Sequence, residues 1–236
     1  MRRARLPYLG TGPVLLSAMS RTSLAAAVRE VATRDPVMGA FIERAGPMKL
    51  RASRGIDVFS SLAAAINYQQ LAGAAAAAIH GRFVALFDGS PTPQAVLDTP
   101  LERLRSAGLS GNKAASIVDL AAKVADGTVP RDGWSQLSDD EIVERLSAVR
   151  GIGRWTAEMF LIFDLRRFDV WPVDDYGVRK GYARIYGLPE LPKPKDLQAE
   201  GERFRPYRTV AAWYCWRAVV IVLPSADADA SGGRNG

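Results

Sequence analysis

The most constraining stretch of this 236-residue chain runs from Ser138 to Phe163, SDDEIVERLSAVRGIGRWTAEMFLIF. Ser138 followed by Glu141 is a capping box, in which each side chain satisfies the other residue's backbone amide, so a helix starts here. Ile142, Val143, Leu146 and Val149 recur at helical spacing and form its buried face. Arg150-Gly151-Ile152-Gly153 breaks that helix. The apolar pattern then resumes through Trp155, Ala157, Met159, Phe160 and Ile162. The stretch reads as helix, tight hairpin, helix.

Two glycines one residue apart let a backbone bend sharply and approach a ligand. The hairpin opens onto a helix N-terminus, where free N–H groups and the helix dipole favour an anion. A DNA phosphate fits, and because backbone donors do the binding, no base sequence is read. Arg150 and Arg154 flank the turn and add charge, with Thr156 in the first turn of the second helix. Taken alone, the Gly-x-Gly is equally an ordinary αα-turn with glycine caps.

The rest of the chain is also helical in pattern. Leu24, Val28, Val31 and Ala32 share one face of a first helix that ends before Asp35-Pro36. Phe59 to Phe87 is Ala-rich, lacks Pro and has Gly only at 73 and 81, which predicts one or two helices with His80-Gly81 as the turn. Asn112 is placed to cap a helix carrying Ile117, Leu120, Ala121 and Val124, which stops at Asp126-Gly127. Pro189 to Pro194 reads as a connector, and a final helix is expected from about Tyr207 to Val222. Strand-like alternation is scarce and no fixed-period repeat is present, so the fold class is all-α. Residues 1–20 carry Arg2, Arg3 and Arg5 before an apolar stretch broken by Gly10, Gly12 and Pro13. A signal peptide needs ~7–15 unbroken apolar residues, so a poorly ordered leader is expected instead. Residues 226–236 read as a flexible tail. No window reaches the ~18–20 apolar residues of a membrane span.

Composition narrows the chemistry. A single Cys and a single His exclude an internal disulfide, a four-Cys zinc or iron–sulfur site and a multi-His metal site. The net charge of +6 favours anionic partners without naming one. Arg greatly outnumbers Lys, which suits phosphate binding or, equally, a GC-rich genome.

Val173-Asp174-Asp175-Tyr176 follows Trp171-Pro172 and precedes a probable helix. Two carboxylates there are most simply N-caps, a role that suits Asp174; the second could instead face a cleft.

From Leu146 to Arg179 the chain resembles the helix–hairpin–helix DNA glycosylase superfamily, whose signature is such a hairpin followed by a Gly/Pro-rich loop and an Asp. Within it, the chain is most similar to the 3-methyladenine DNA glycosylase II branch. Ala65-Ile66-Asn67-Tyr68-Gln69-Gln70-Leu71 resembles that branch's Gln-Gln-Leu segment. Gly108-Leu109-Ser110 with Lys113-Ala114 resembles a second block of it, and Phe204 to Arg208 with Ala211 to Arg217 a third. Tyr68 departs from the pattern, which usually has a small residue there, and Arg51 to Asp57 is not the usual loop.

The resemblance implies a compact version with two helical subdomains flanking a DNA-binding cleft: residues 21–60 plus 190–225 in one, and 61–189 in the other. It implies a nucleotide flipped from duplex DNA and hydrolysis of its N-glycosidic bond. Asp175 aligns with the catalytic Asp and would stabilise the developing oxocarbenium ion or orient the attacking water; Asp174 keeps the cap. Strand-cleaving members carry a Schiff-base Lys where this chain has Trp155, which implies a monofunctional enzyme. Lys180, beyond the Asp, reads as a phosphate or solvent contact. Bases alkylated at N3 or N7 are cationic and suit aromatic faces. Trp155, Trp216, Met159 and Tyr68 are therefore assigned to the base pocket and Trp213 to the core, although core packing is the bland reading of each. Gln69 and Gln70 are the candidates to fill the gap left by the flipped nucleotide. A monovalent cation, Na+ or K+, is implied at the hairpin through the carbonyls of Ser147, Val149 and Ile152, with no other cofactor and no iron–sulfur cluster. His80 is read as a helix C-terminal residue. The partner the resemblance implies is double-stranded DNA containing alkylated bases, bound by a monomer expected to be cytoplasmic and nucleoid-associated in the bacterial manner, with no membrane. The competing readings are a non-catalytic helix–hairpin–helix DNA-binding or damage-sensing protein and a glycosylase with lyase activity.

Overall fold

The structure, a computed structural model, describes residues 21–49, 57–71 and 73–221, so the expected leader, tail and atypical loop from Arg51 lie outside the described residues. In chain order its helices are α1 (Arg21–Arg34), α2 (Pro36–Ala45), α3 (Val58–Tyr68), α4 (Gly73–Ala85), α5 (Pro93–Leu97), α6 (Leu101–Ser106), α7 (Gly111–Ala125), α8 (Asp139–Ser147), α9 (Arg154–Phe163), α10 (Tyr176–Tyr186), α11 (Pro194–Glu200) and α12 (Arg208–Val220). The described residues include no strand, which agrees with the all-α expectation. No described helix is long and apolar enough to cross a membrane.

Local chemistry sets most helix ends. The Asp35 carboxylate accepts from the Met38 amide at 2.8 Å and Pro36 opens α2, which separates it from α1 as expected. The capping box of Ser138 and Glu141 starts α8. Two expectations fail. Ser110, not Asn112, caps α7, because its extended backbone lets Oγ reach the third amide of the helix. Asn112 lies inside the first turn and instead accepts from the Arg150 guanidinium. His80-Gly81 is not a turn but part of α4, since one glycine inside a helix costs only about 1 kcal/mol. The break falls at Gln69 to Leu71, where the Lys113 ammonium captures the Asn67 and Gln69 carbonyls at 2.8 Å each and Gln70 takes φ +56°. His80 is accordingly mid-helix, with Nδ1 3.1 Å from the Asn67 amide nitrogen.

The buried side chains form two cores. One is built from α3 to α9, with Phe59, Leu62, Phe83, Leu120, Leu146 and Phe160 among its members, and ends at Val170. The other joins α1 and α2 to α10, α11 and α12 through Val31, Met38, Trp171, Tyr182, Phe204 and Tyr214. The division therefore lies at 170/171 and not at 189. The stretch 171–189 packs with the terminal helices, because α10 crosses α12, while Val58 and Phe59 belong to the hairpin core. That crossing is close at Gly181, where a methyl group would overlap the Cys215 carbonyl. Trp216 packs against both cores.

The chain passes between the cores on a pinned segment. The Thr209 hydroxyl donates to the Arg167 carbonyl at 2.7 Å and accepts from the Val170 amide at 3.0 Å, in buried surroundings. Arg208 donates to Asp169 through Nε at 2.7 Å, and Arg205 reaches the same carboxylate at 2.7 Å. These bonds fix the connection from α9 to α10, and with it the position of Asp175.

Candidate active site

The hairpin occupies residues 148–153 between α8 and α9. Gly151 has φ +77°, a left-handed conformation that favours glycine, and a Cβ there would lie 2.7 Å from Ser116 Oγ. The turn closes on itself through the Ile152 amide and the Val149 carbonyl at 3.1 Å. Three neighbours hold it from outside. The Arg150 amide donates to Asp119 at 2.7 Å, the Arg150 guanidinium donates to Asn112 at 3.2 Å, and Gln69 Nε2 donates to the Gly151 carbonyl at 2.9 Å. Gly153 caps α9 without a side-chain bond, so no side chain occupies the amides of the first turn. Arg150, Gly151, Gly153 and Arg154 are exposed. Ile152 and Thr156 are buried; the Ile152 amide is already engaged by Val149, so of the two only the Thr156 backbone amide can serve an anion, and Ile152 anchors the turn in the first core.

The second element is built on Asp175, the N-cap of α10. Its Oδ1 accepts from the Val178 amide at 2.7 Å and from Trp216 Nε1 at 2.8 Å, and its Oδ2 accepts from Trp155 Nε1 at 2.7 Å. All three partners are N–H donors, which is what an ionised carboxylate takes. The capping role expected of Asp174 thus falls to Asp175, whose side chain alone reaches the third amide of the helix; Asp174 is exposed. Gly177 makes room for this arrangement, since a Cβ there would come within 2.8 Å of the Trp216 ring.

The two tryptophans point their indole edges at the carboxylate. Trp155 remains 46% exposed, which leaves ring surface open to a ligand. The Phe163 ring lies 5.6 Å from that of Trp216 at an interplanar angle of 30°. Phe163 is itself exposed, and in the sequence it reads only as the last apolar residue of its helix. Met159 is half-buried against the first core, which is its bland reading. Tyr68 does not join the indoles: its ring neighbour is His80, 5.9 Å away. Trp213 packs edge-on against Tyr214 in the second core, as expected. Lys180 lies 5.8 Å above the exposed Tyr176 ring. Gln69 and Gln70 separate in role: Gln69 braces the hairpin, while Gln70 is exposed in the turn.

Glu158 is a further residue that periodicity hides, a carboxylate on the buried side of α9. Burial pushes it up to about 7, against the opposing pull of Arg154 and with the help of Asp174 and Asp175. It lines a cleft of about 1310 Å³ with Arg154, Arg167, Asp169, Arg205 and Arg208. That cleft is distinct from the indole-lined site.

Residues 63–206 match the family described as HhH-GPD superfamily base excision DNA repair protein. DNA-3-methyladenine glycosylase 1 of Schizosaccharomyces pombe is 39% identical over 68% of this chain and 72% of its own length. DNA-3-methyladenine glycosylase 2 of Escherichia coli is 27% identical over 71% of this chain and 60% of its own. Among solved structures, the S. pombe 3-methyladenine DNA glycosylase in complex with abasic DNA superposes with a TM-score of 0.70 at 35% identity, covering 81% of this chain and 95% of that one. A DNA-3-methyladenine glycosidase from Bacillus halodurans reaches 0.76 at 35% identity, covering 82% and 89%.

Proposed function

The chain belongs to the HhH-GPD superfamily of base excision DNA repair proteins, and from that premise we propose that it is a monofunctional DNA glycosylase that releases alkylated purines of the 3-methyladenine type from duplex DNA. The observation that carries this reading is the Asp175 carboxylate held by both indole N–H groups beside open aromatic surface.

The steps follow from those groups. The hairpin amides and Arg150 and Arg154 take the phosphate backbone without reading sequence. Gln70, exposed in the turn after α3, enters the duplex as the damaged nucleotide swings out. The cationic base lies against the faces of Trp155 and the Trp216–Phe163 pair, an interaction of about 0.5–2 kcal/mol. An alkylated purine is a good leaving group, so no general acid is required. As the bond from C1′ breaks, positive charge grows on the sugar and the fixed Asp175 carboxylate stabilises it. The same carboxylate can orient the attacking water. Trp155 stands where an amine nucleophile would be needed for strand cleavage, and an indole cannot form a Schiff base. The DNA-bound yeast relative, aligned over most of this chain, supports DNA as the partner. A monovalent cation, Na+ or K+, would be held by the carbonyls of Ser147, Val149 and Ile152, and when bound it would supply positive charge at the phosphate. We assign the protein to the cytoplasm as a monomer acting on nucleoid DNA.

The test is incubation with methylated duplex DNA, scoring free base and, separately, nicking with and without alkali. Free 3-methyladenine with nicking only after alkali is expected. No free base would favour a non-catalytic damage binder, and nicking without alkali would show a lyase.

A further inference from the structure

Glu158 takes no part in the chemistry just described. Its side chain is only 6% exposed, while that of Arg154, one turn earlier on α9, is 61% exposed. Arg154 Nε donates to Glu158 Oε1 at 3.0 Å. A buried carboxylate is costly unless paired. With Nε engaged below, the two terminal nitrogens of the guanidinium are left to meet an oxyanion, and they form the planar fork that suits phosphate. Arg154 is also the first residue of α9, so the fork and the uncapped amides belong to the same helix end.

We propose that Glu158 is a positioning residue for DNA binding: it tethers Arg154 through Nε, so that the terminal nitrogens form a phosphate fork beside the hairpin amides, and it adjusts the net charge of that fork by gaining or losing a proton. This rests on the reading that the hairpin grips a DNA backbone.

Other charged groups share that cleft with Glu158, and burial raises Asp139 among them as well. Asp174 and Asp175 approach it from the start of α10. Across the cleft lie Asp139, Asp140 and Glu141 of α8, Arg167 and Asp169 of the connection, and Arg205 and Arg208 at α12. Arg167 pairs with Asp139, and Asp169 pairs with Arg205 and Arg208. Burial raises Glu158 to about 7, the charge of Arg154 opposes this and the two aspartates add to it. His80, the chain's single histidine, is pulled below its usual 6.5 by burial. As pH falls through about 7, Glu158 is neutralised, the charge of Arg154 is no longer compensated, and a polyanion binds more tightly.

The experiment titrates the whole protein with a labelled duplex carrying a tetrahydrofuran abasic analogue, over a salt series at about pH 6 and about pH 8, which bracket the titration. Wild type should bind several-fold more tightly at the lower pH. Glu158→Gln keeps an oxygen for Arg154 Nε, so it should bind at both pH values as wild type does at the lower one. Arg154→Ala should make the salt slope shallower by about 0.9, the loss of one phosphate contact. Glu158→Ala should do the same, and the double variant should do no more. Retained pH dependence in Glu158→Gln, an undiminished slope in Glu158→Ala, or an unchanged slope in Arg154→Ala would each overturn the proposal. If Glu158→Ala fails to fold, the isosteric Gln variant and the exposed Arg154 variant decide. Base release from methylated duplex is scored alongside. Its absence with these binding effects intact removes the glycosylase reading alone; its presence without them removes only the role of Glu158.

Discussion

The hairpin and the Asp175 site lie on adjoining stretches of chain but are assembled differently. The hairpin is nearly complete in one run, with α8, its turn and the open end of α9 all falling between residues 139 and 163. Its outside braces, Asp119, Asn112 and Gln69, steady a turn whose own Val149–Ile152 bond already closes it. The carboxylate site has no such local completeness. Asp175 gains one indole donor from α9 and another from α12, helices that belong to different cores. Trp216 arrives only because Gly181 lets α10 cross α12 closely and Gly177 leaves space for its ring. Function that rests on backbone amides survives changes in side chains, whereas function that rests on converging side chains depends on the whole packing arrangement.

The sharpest way to break that comparison is Asp175→Asn. Asn caps a helix about as well as Asp, so α10 should still start at this residue and the variant should fold. Its amide, however, removes the negative charge and sets a donor against one of the indole N–H groups. Base release should fall roughly a hundredfold or more, as when a preorganised electrostatic partner is lost, while binding to an abasic-analogue duplex persists. Unchanged release under single-turnover conditions would remove Asp175 from the chemistry.

The next effect separates indole edge from indole face. Trp155→Phe and Trp216→Phe each keep an aromatic face but delete one donor to Asp175. A hydrogen bond to a charged group is worth about 1.5–3 kcal/mol, so single-turnover release should slow by about tenfold or more in each. Binding of the cationic base through the remaining face should change far less. If both variants release base at the wild-type rate, the tryptophans serve only as walls.

This contrast also explains what could be read in the chain beforehand. The capping box, the Gly-Ile-Gly turn and the periodicity of α7, α8 and α9 are short-range signals, and each element appears close to where its pattern places it. The break after α3 does not fall at His80-Gly81, where the local pattern points, because its cause is long-range: Lys113, more than forty residues on, takes the Asn67 and Gln69 carbonyls at the end of α3. Asp175 and both tryptophans were reached by resemblance, not by spacing, since nothing local makes Trp216 approach residue 175. Asp174 and Asp175 look alike as caps in the sequence, and only the backbone angles choose Asp175. Glu158 and Phe163 are illegible for a similar reason: on a helix wheel they are an anomaly and a terminus, and only packing shows what they face.

The smallest effect tests whether the hairpin is as self-sufficient as its continuity suggests. Gln69→Ala deletes the side-chain bond to the Gly151 carbonyl, while the Lys113 bond to the Gln69 backbone carbonyl does not depend on the side chain. A neutral hydrogen bond of this kind contributes about 0.5–1.5 kcal/mol, so duplex affinity should weaken by no more than about tenfold. No phosphate contact is lost, so the salt slope should stay that of wild type. Gln70→Ala provides the contrast, because it leaves the hairpin brace in place: affinity for an abasic duplex should hold, while release from a fully stacked methylated duplex slows. A Gln69 variant with wild-type affinity would show that the turn does not need this brace. One with a shallower salt slope would show instead that the brace sets how many phosphates the hairpin reaches, so that the apparently local element also depends on distant side chains.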